Sequence, residues 1–268
     1  MRPWLRRGGL CRDRAEKLTM RLGRKPHDPA ALAAMPTLGA HLMPEPPAKL
    51  DRSALPFHPA CWNNDTQPDC TAASLAECAK GANLIFGGGE LNIALDAPIR
   101  FYAACIGTPN ATMEALAATD GAVMADVARI QSVEGYDIGQ AAPMTGLPAN
   151  VPLARAYVAA CMASLGHVWL GVTLHERDME PGQVWDVSAD DGAAIGGHAI
   201  MGFDYDGLGD GDHVRISTWG AWRLTTWRWL DARLAEAHGV IWRQWTPPGF
   251  DVAALEADVA RWAGFGGR

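Results

Sequence analysis

The sequence predicts an α+β fold, with a helical lobe first and an antiparallel sheet lobe second. Three observations predict it. Apolar residues recur at three- and four-residue spacing between residues 70 and 165. Alternating, β-branched segments take over from residue 167. The two patterns do not interleave, which argues against a parallel sheet with crossover helices. Composition is consistent with this: 268 residues, 49% hydrophobic and 20% charged, suit one large domain or two small ones and exclude a disordered chain. The 29 glycines and 18 prolines show no three-residue period, so a collagen helix is excluded. No run of 18 apolar residues is present, so no transmembrane segment is expected.

The elements follow in order. PAALAAM predicts a short helix near 29–35, and Pro44, Pro46 and Pro47 then forbid regular helix. CWNNDTQPDC, residues 61–70, is a tight loop by its Asn, Asp and Pro content. A helix starts at Cys70 with Asp69 as N-cap, runs through TAASLAECAKGANLIF, and stops at Gly87–Gly89. Ala97–Cys105 is a second helix with Pro98 in its first turn. A third, opened by Asp120-Gly121, carries Val123, Val127 and Ile130 on one face. Residues 153–165 form another, broken at Gly166 before the strand HVWLGVTL. HAIMGFDYD and HVRISTW are strands joined by the turn DGLGDG. TTWRWLDARLAEAHG predicts a helix capped by Thr225 or Thr226 and ended by Gly239, then a strand VIWRQW and a last helix over 252–263.

The net charge of −7 is unevenly spread. Residues 1–25 hold nine Arg or Lys against Asp13 and Glu16, which leaves an acidic body. A basic head on an acidic body predicts a solvated arm. It leaves nucleic acid open as a partner, but no helix-turn-helix, zinc-finger or aromatic RNA-binding signature follows, so a nucleic-acid binder is not expected. The arm lacks the apolar stretch of a secretory signal, and Met20 is a candidate start of translation. The six cysteines, at 11, 61, 70, 78, 105 and 161, form no CxxC pair and are expected to be free thiols in a reducing compartment.

Two residues carry candidate chemistry. Cys70 opens a helix, where unpaired N–H groups and the helix dipole stabilise a thiolate. His198 follows Gly196-Gly197, which let backbone and imidazole approach another element closely. A cysteine at a helix start with a histidine on a distant strand is the pair needed for a thiol nucleophile and its general base. A working site also requires the two side by side in a cleft that solvent can enter.

Here the sequence resembles the papain-like cysteine peptidases. Cys70 with TAAS is similar to the nucleophile helix, DGAVMADVARIQSVEGYDIG to the segment in which a glycine turn opens a helix, GGHAIMGFDYD to the histidine strand, and RISTWGAW to the family's Asn-Ser-Trp-Gly strand. Order and spacing hold over residues 50–222. The resemblance implies a papain-like α+β fold, with a helical lobe around the helix starting at Cys70 and an antiparallel sheet carrying His198. It implies an oxyanion-hole amide at Asn64 beside the Cys70 N–H, and Ser217 as the residue orienting His198. Trp219, Gly197 and Gln67 would then border the substrate. The sequence departs from the family pattern in Asn64 for Gln, Ser217 for Asn, and a helical tail after Trp-Gly. In these it resembles papain-like proteins encoded by bacteriophages and prophages, where NDxxxDC loops and a TWG strand before a Trp-containing helix are usual.

The resulting expectations are a thiol peptidase or amidase working through an acyl-thioester, with no metal or organic cofactor, acting on peptide or amide substrates. Cys70 should then be the thiol most reactive to iodoacetamide. The alternative is a catalytically weak or inactive papain-like module that binds structural proteins of a phage particle. A compact cell-wall endopeptidase shares the Cys-then-His order but is shorter after the histidine. The expected organisation is an arm and Pro/Ala-rich lead-in at 1–45, the papain-like domain at 46–248 and a C-terminal helix at 249–268. The expected location is the cytoplasm of the producing bacterium, or the virion. DYDGLGDGD lacks the flanking helices and terminal Glu of a calcium loop and is expected to be an acidic hairpin turn. The seven tryptophans between 219 and 262 are expected to pack the core.

Overall fold

The computed structural model describes residues 20–38, 43–140, 142–182 and 184–265. Most of the expected basic arm, and Cys11 with it, lies outside the described residues.

Helix α1 (Pro29–Ala34) is capped by the Asp28 side chain, which accepts from the Ala30 N–H. The central helix α2 (Cys70–Ala82) starts where the sequence places it, and all 13 of its residues are buried. Its small side chains, Ala72, Ala73, Ala76 and Ala79, let neighbours approach closely. Gly81 is one such approach: a Cβ there would stand 2.9 Å from the Gly166 carbonyl oxygen. Beyond Ala82 the expected helix loosens into a π-turn, Asn83–Gly87, ended by Gly88 in the left-handed region. Next come α3 (Ala97–Cys105), α4 (Met113–Ala117), α5 (Met124–Val133) and α6 (Arg155–Leu165).

Six antiparallel strands make one sheet: β1 (Gly146–Asn150), β2 (Val168–His175), β3 (Ala194–Tyr205), β4 (His213–Thr218), β5 (Ala221–Thr226) and β6 (Leu234–Trp242). Their order is β1-β6-β2-β3-β4-β5. Helix α7 (Trp227–Arg233) links β5 to β6, and α8 (Val252–Phe265) follows. The α2 helix packs on β3, and Ser74 ties it to β2: Trp169 Nε1 donates to Ser74 Oγ at 2.7 Å. The acidic segment after β3 is the turn into β4. Trp227, Trp229 and Trp242 are fully buried.

Two regions differ from the sequence reading. Leu234–Gly239 is strand, not the end of a helix. Its Leu, Ala and Glu favour helix by only a few tenths of a kcal/mol each. Pairing with β1 on one side and β2 on the other satisfies the backbone of β6, which outweighs that preference. Gly239 is closely packed there: a Cβ would lie 2.5 Å from Leu38 Cδ1. Strand β1 has no counterpart in the sequence reading, since Gly146 and Pro148 are poor strand formers. It forms one edge of the sheet, where the missing N–H of a proline is tolerated.

The cysteines also differ in part. Cys61 is disulfide-bonded, whereas Cys70, Cys78, Cys105 and Cys161 are free. Among the described residues, no helix is long and apolar enough to cross a membrane.

Candidate active site

Cys70 stands at the first position of α2, where its N–H has no partner within the helix. Asp69 precedes it as N-cap but makes no capping bond with its side chain. Both Asp69 carboxyl oxygens are buried without a partner, and burial raises its pKa well above the usual carboxylate range. The Cys70 thiol faces the backbone of Ala199, the residue after His198 on β3. The sulfur and the imidazole-bearing strand, 128 positions apart in sequence, are thus brought together.

The His198 ring is held on two sides. Its Nε2 shares a 2.7 Å hydrogen bond with Thr218 Oγ1. The Trp219 indole stacks on it, with ring centroids 4.4 Å apart and 21° between planes. Trp219 and Gly220 form the two-residue turn between β4 and β5, and both have positive φ, 46° and 70°. A bulky residue in that conformation is strained. The turn places the indole over the histidine. The other ring nitrogen, Nδ1, is buried without a hydrogen-bond partner.

Ser217, expected to orient the ring, makes its side-chain hydrogen bond elsewhere. Its Oγ donates to Glu77 Oε2 at 3.2 Å, and Thr218 makes the contact to His198 instead. Successive side chains on a strand point to opposite faces, so an offset of one residue exchanges the two roles. Asn64 and Gln67 are both buried, and their side-chain oxygens lack partners. Asn64, Glu77, Ala199, Ser217, Thr218 and Trp219 line a small cavity of about 10 Å³.

Glu77 was missed in the sequence. It lies on α2, also accepts from the Ala60 N–H at 2.8 Å, and sits 3.9 Å from Lys80 Nζ. Burial raises its pKa to about 7, against the pull of Lys80. The available signal was an acid with a lysine three positions later, inside an otherwise apolar helix.

The site is not open. Cys70 and His198 are both 0% exposed. Residues 20–25, expected to belong to a solvated arm, lie across them. The Arg24 N–H donates to the Gly197 carbonyl (3.1 Å), Lys25 N–H to the Ala122 carbonyl (2.9 Å), and Ala122 N–H to the Gly23 carbonyl (2.8 Å). The Gly23 backbone also meets the Cys70 thiol. Gly197, expected to border the substrate, borders this segment: a Cβ there would lie 2.3 Å from the Arg24 carbonyl oxygen.

Enclosure reverses the expected electrostatics. Burial pushes the Cys70 thiol up to about 12, the Ala199 and Gly23 backbone contacts notwithstanding. Burial, and then the nearby Arg24 charge, holds His198 down to about 3. In this state both groups are neutral, a thiol and an imidazole, rather than the reactive thiolate expected from the helix start.

A fold with its central helix opened by a cysteine and packed on a sheet carrying histidine is the papain-like fold. The chain is similar to xylellain, a cysteine protease from Xylella fastidiosa, at TM-score 0.56 and 14% identity, covering 88% of this chain and 98% of that one. It is similar to procathepsin L 3 of Tenebrio molitor larval midgut at TM-score 0.58 and 10% identity, covering 83% and 76% of the two chains. A third similar structure is procathepsin B of Trypanosoma congolense, at TM-score 0.56 and 13% identity, covering 78% and 82%. No family profile and no curated protein matches the chain.

Proposed function

We propose that this chain is a thiol hydrolase acting on peptide or amide bonds, held closed by its own residues 20–25. The observation that carries it is the Cys70 thiol at a helix start against Ala199, next to a histidine clamped between Thr218 and Trp219.

Once the segment leaves, water and the helix dipole favour the thiolate again. Cys70 then gives its proton to His198 and attacks the acyl carbon, and the carbonyl becomes an oxyanion. The Cys70 N–H and the Asn64 amide stabilise it, each donor contributing roughly 2.7–4 kcal/mol. Collapse breaks the C–N bond, and His198 returns the proton to the leaving amine. Water, deprotonated by His198, cleaves the thioester and restores the thiol. Thr218 holds the ring, Trp219 shields that bond from water, and Gln67 borders the substrate. No step requires a metal or organic cofactor. Residues 46–248 would form the hydrolase domain.

The test is turnover of peptidyl coumarin amides by the full chain with Arg24→Glu, which sets two carboxylates against each other and releases the segment. Hydrolysis that Cys70→Ala abolishes is the expected result. A second reading is a weak or inactive module, favoured by Ser217 and Thr218 standing where the resembled family has Asn and Ser. It predicts no turnover even with the segment released. The proposed bacteriophage setting, with virion proteins as partners and the bacterial cytoplasm or the virion as location, is supported by the loop and Trp-Gly motifs alone.

A further inference from the structure

The loop that carries Asn64 is under strain. Trp62 and Asn63, neither of them glycine, have positive φ of 45° and 70°. Such a conformation persists only where the surroundings impose it. Two side chains of α2 do so. Glu77 Oε1 accepts from the Ala60 N–H at 2.8 Å. Lys80 Nζ donates to the His58 carbonyl and lies over the Phe57 and Trp62 rings, 4.8 and 5.4 Å from their centroids. The loop also meets the β4–β5 turn: a Cβ on Gly220 would stand 2.9 Å from the Cys61 nitrogen.

Glu77 joins this loop to the histidine. Its second oxygen accepts from Ser217 Oγ at 3.2 Å, and Thr218, the next residue of β4, holds His198 Nε2 at 2.7 Å. Among the described residues lining the cavity beside Asn64, Glu77 alone is charged. Lys80, 3.9 Å from it, is itself 3.4 Å from Glu90, whose other oxygen takes the exposed His58 ring at 2.9 Å. A buried carboxylate costs stability: burial raises this one to about 7, and an apolar side chain of similar volume would suit the helix as well or better. What the acid supplies is two acceptors that reach the loop and the strand at once.

We propose that Glu77 is a positioning residue of the oxyanion hole, fixing the loop that carries Asn64 against the strand that clamps His198. This rests on the hydrolase reading and deepens it. An oxyanion donor acts only when it lies within hydrogen-bond reach of the charge that develops in the transition state. Loosening the loop therefore lowers kcat and leaves ground-state binding, and with it KM, largely intact. Glutamine can stand in for the acid, because its amide oxygen accepts from the Ala60 N–H and its NH2 donates to Ser217 Oγ. Leucine, of similar size, makes neither bond.

The test uses the full chain opened by Arg24→Glu, which sets a carboxylate against Glu236, the partner of Arg24 Nη1 at 2.7 Å. Arg24→Ala replaces it if it fails to fold. The substrate is the best-cleaved member of a tetrapeptidyl coumarin amide library. Glu77→Leu should lower kcat at least about tenfold with KM changed less than about twofold, and Glu77→Gln should recover most of that loss. In an Asn64→Ala background Glu77→Leu should cost less than about twofold more, because it acts through Asn64. Ser217→Ala, which removes one of the two bonds, should show the same pattern with a loss of about threefold, and serves where Glu77→Leu fails to fold. An unchanged kcat, Glu77→Gln as slow as Glu77→Leu, or full additivity with Asn64→Ala would overturn the proposal. Hydrogen exchange of residues 57–64 gives a readout that needs no turnover: it should quicken in Glu77→Leu and not in Glu77→Gln. Absence of turnover in every opened chain would overturn the hydrolase reading. Glu77 would then stand as the anchor of the loop if exchange quickens as stated, and equal exchange in all variants would overturn that as well.

Discussion

The two ends of strand β3 bury polar groups in opposite ways. At its far end, Asp204 is fully engaged: it accepts from the Arg52 N–H at 3.0 Å and from Arg215 Nε at 2.9 Å, and it also pairs with Arg215 Nη2. Arg52 in turn donates to the Phe203 carbonyl at 2.8 Å. The far end still leaves His167 Nε2 and Ser164 Oγ without partners, but the near end, on the His198 side, leaves more: His198 Nδ1, Asn64 Oδ1, Gln67 Oε1, Thr71 Oγ1 and both Asp69 oxygens. Folding satisfies buried polar groups almost everywhere, so a cluster of exceptions marks a place kept for something else. The far end is built for stability. The near end keeps hydrogen-bonding capacity in reserve, under a segment that covers it.

The comparison can be broken first at the covering segment. Arg24→Glu should raise turnover of a peptidyl coumarin amide by orders of magnitude over the wild-type chain. Unchanged turnover would mean that residues 20–25 do not gate the site. At the far end, Asp204→Ala should lower stability by about 1–3 kcal/mol, because it removes the carboxylate partner of half-buried Arg215 and the acceptor of the Arg52 N–H. Denaturant unfolding measures this, and Cys70 alkylation should not change. A loss below 1 kcal/mol would contradict the assignment of that end to stability.

Smaller effects sharpen the near end. In the opened Arg24→Glu chain, Thr218→Val should reduce turnover about tenfold with little change in KM, whereas Ser217→Asn should not raise it. A gain from Ser217→Asn would return the orienting role to position 217. Glu77 makes the smallest prediction. Its carboxyl is raised from an ordinary 4.5 to about 7 in the folded chain. A raised carboxyl stabilises the fold fully below about pH 4.5, and that contribution is lost as pH rises through 7. His198, lowered to about 3, acts in the other direction: its contribution is present above 6.5 and lost as pH falls toward 3. Glu77→Gln should therefore flatten the fall in melting temperature between pH 5 and 8. A variant with the wild-type slope would show that Glu77 does not titrate in that window.

Much of the architecture was legible because its signals are local. A loop of Asn, Asp and Pro ending at Cys70 marked the helix start, and two glycines before His198 marked the strand. What escaped depends on long-range pairing. Helix-forming residues in 234–239 hid β6, since only β1 and β2 on either side reveal it as a strand. The exchange of Ser217 for Thr218 turns on a single step of strand phase, set by the tight turn at Trp219-Gly220. The covering segment was read as a solvated arm because of its charge. Leu22-Gly23-Arg24-Lys25 has no periodicity, and only Glu236, 212 positions away, shows where the arginine goes.

The most direct measurement is the rate at which iodoacetamide alkylates each cysteine at pH 8, read by peptide mass spectrometry. In the wild-type chain Cys70, with its thiol near 12, should be as slow as the buried Cys78 and Cys161. In the Arg24→Glu chain Cys70 alone should accelerate, by at least about tenfold, because exposure at a helix start restores its thiolate. Rapid labelling of Cys70 in the wild-type chain, or equally slow labelling in both, would contradict a nucleophile held covered by residues 20–25.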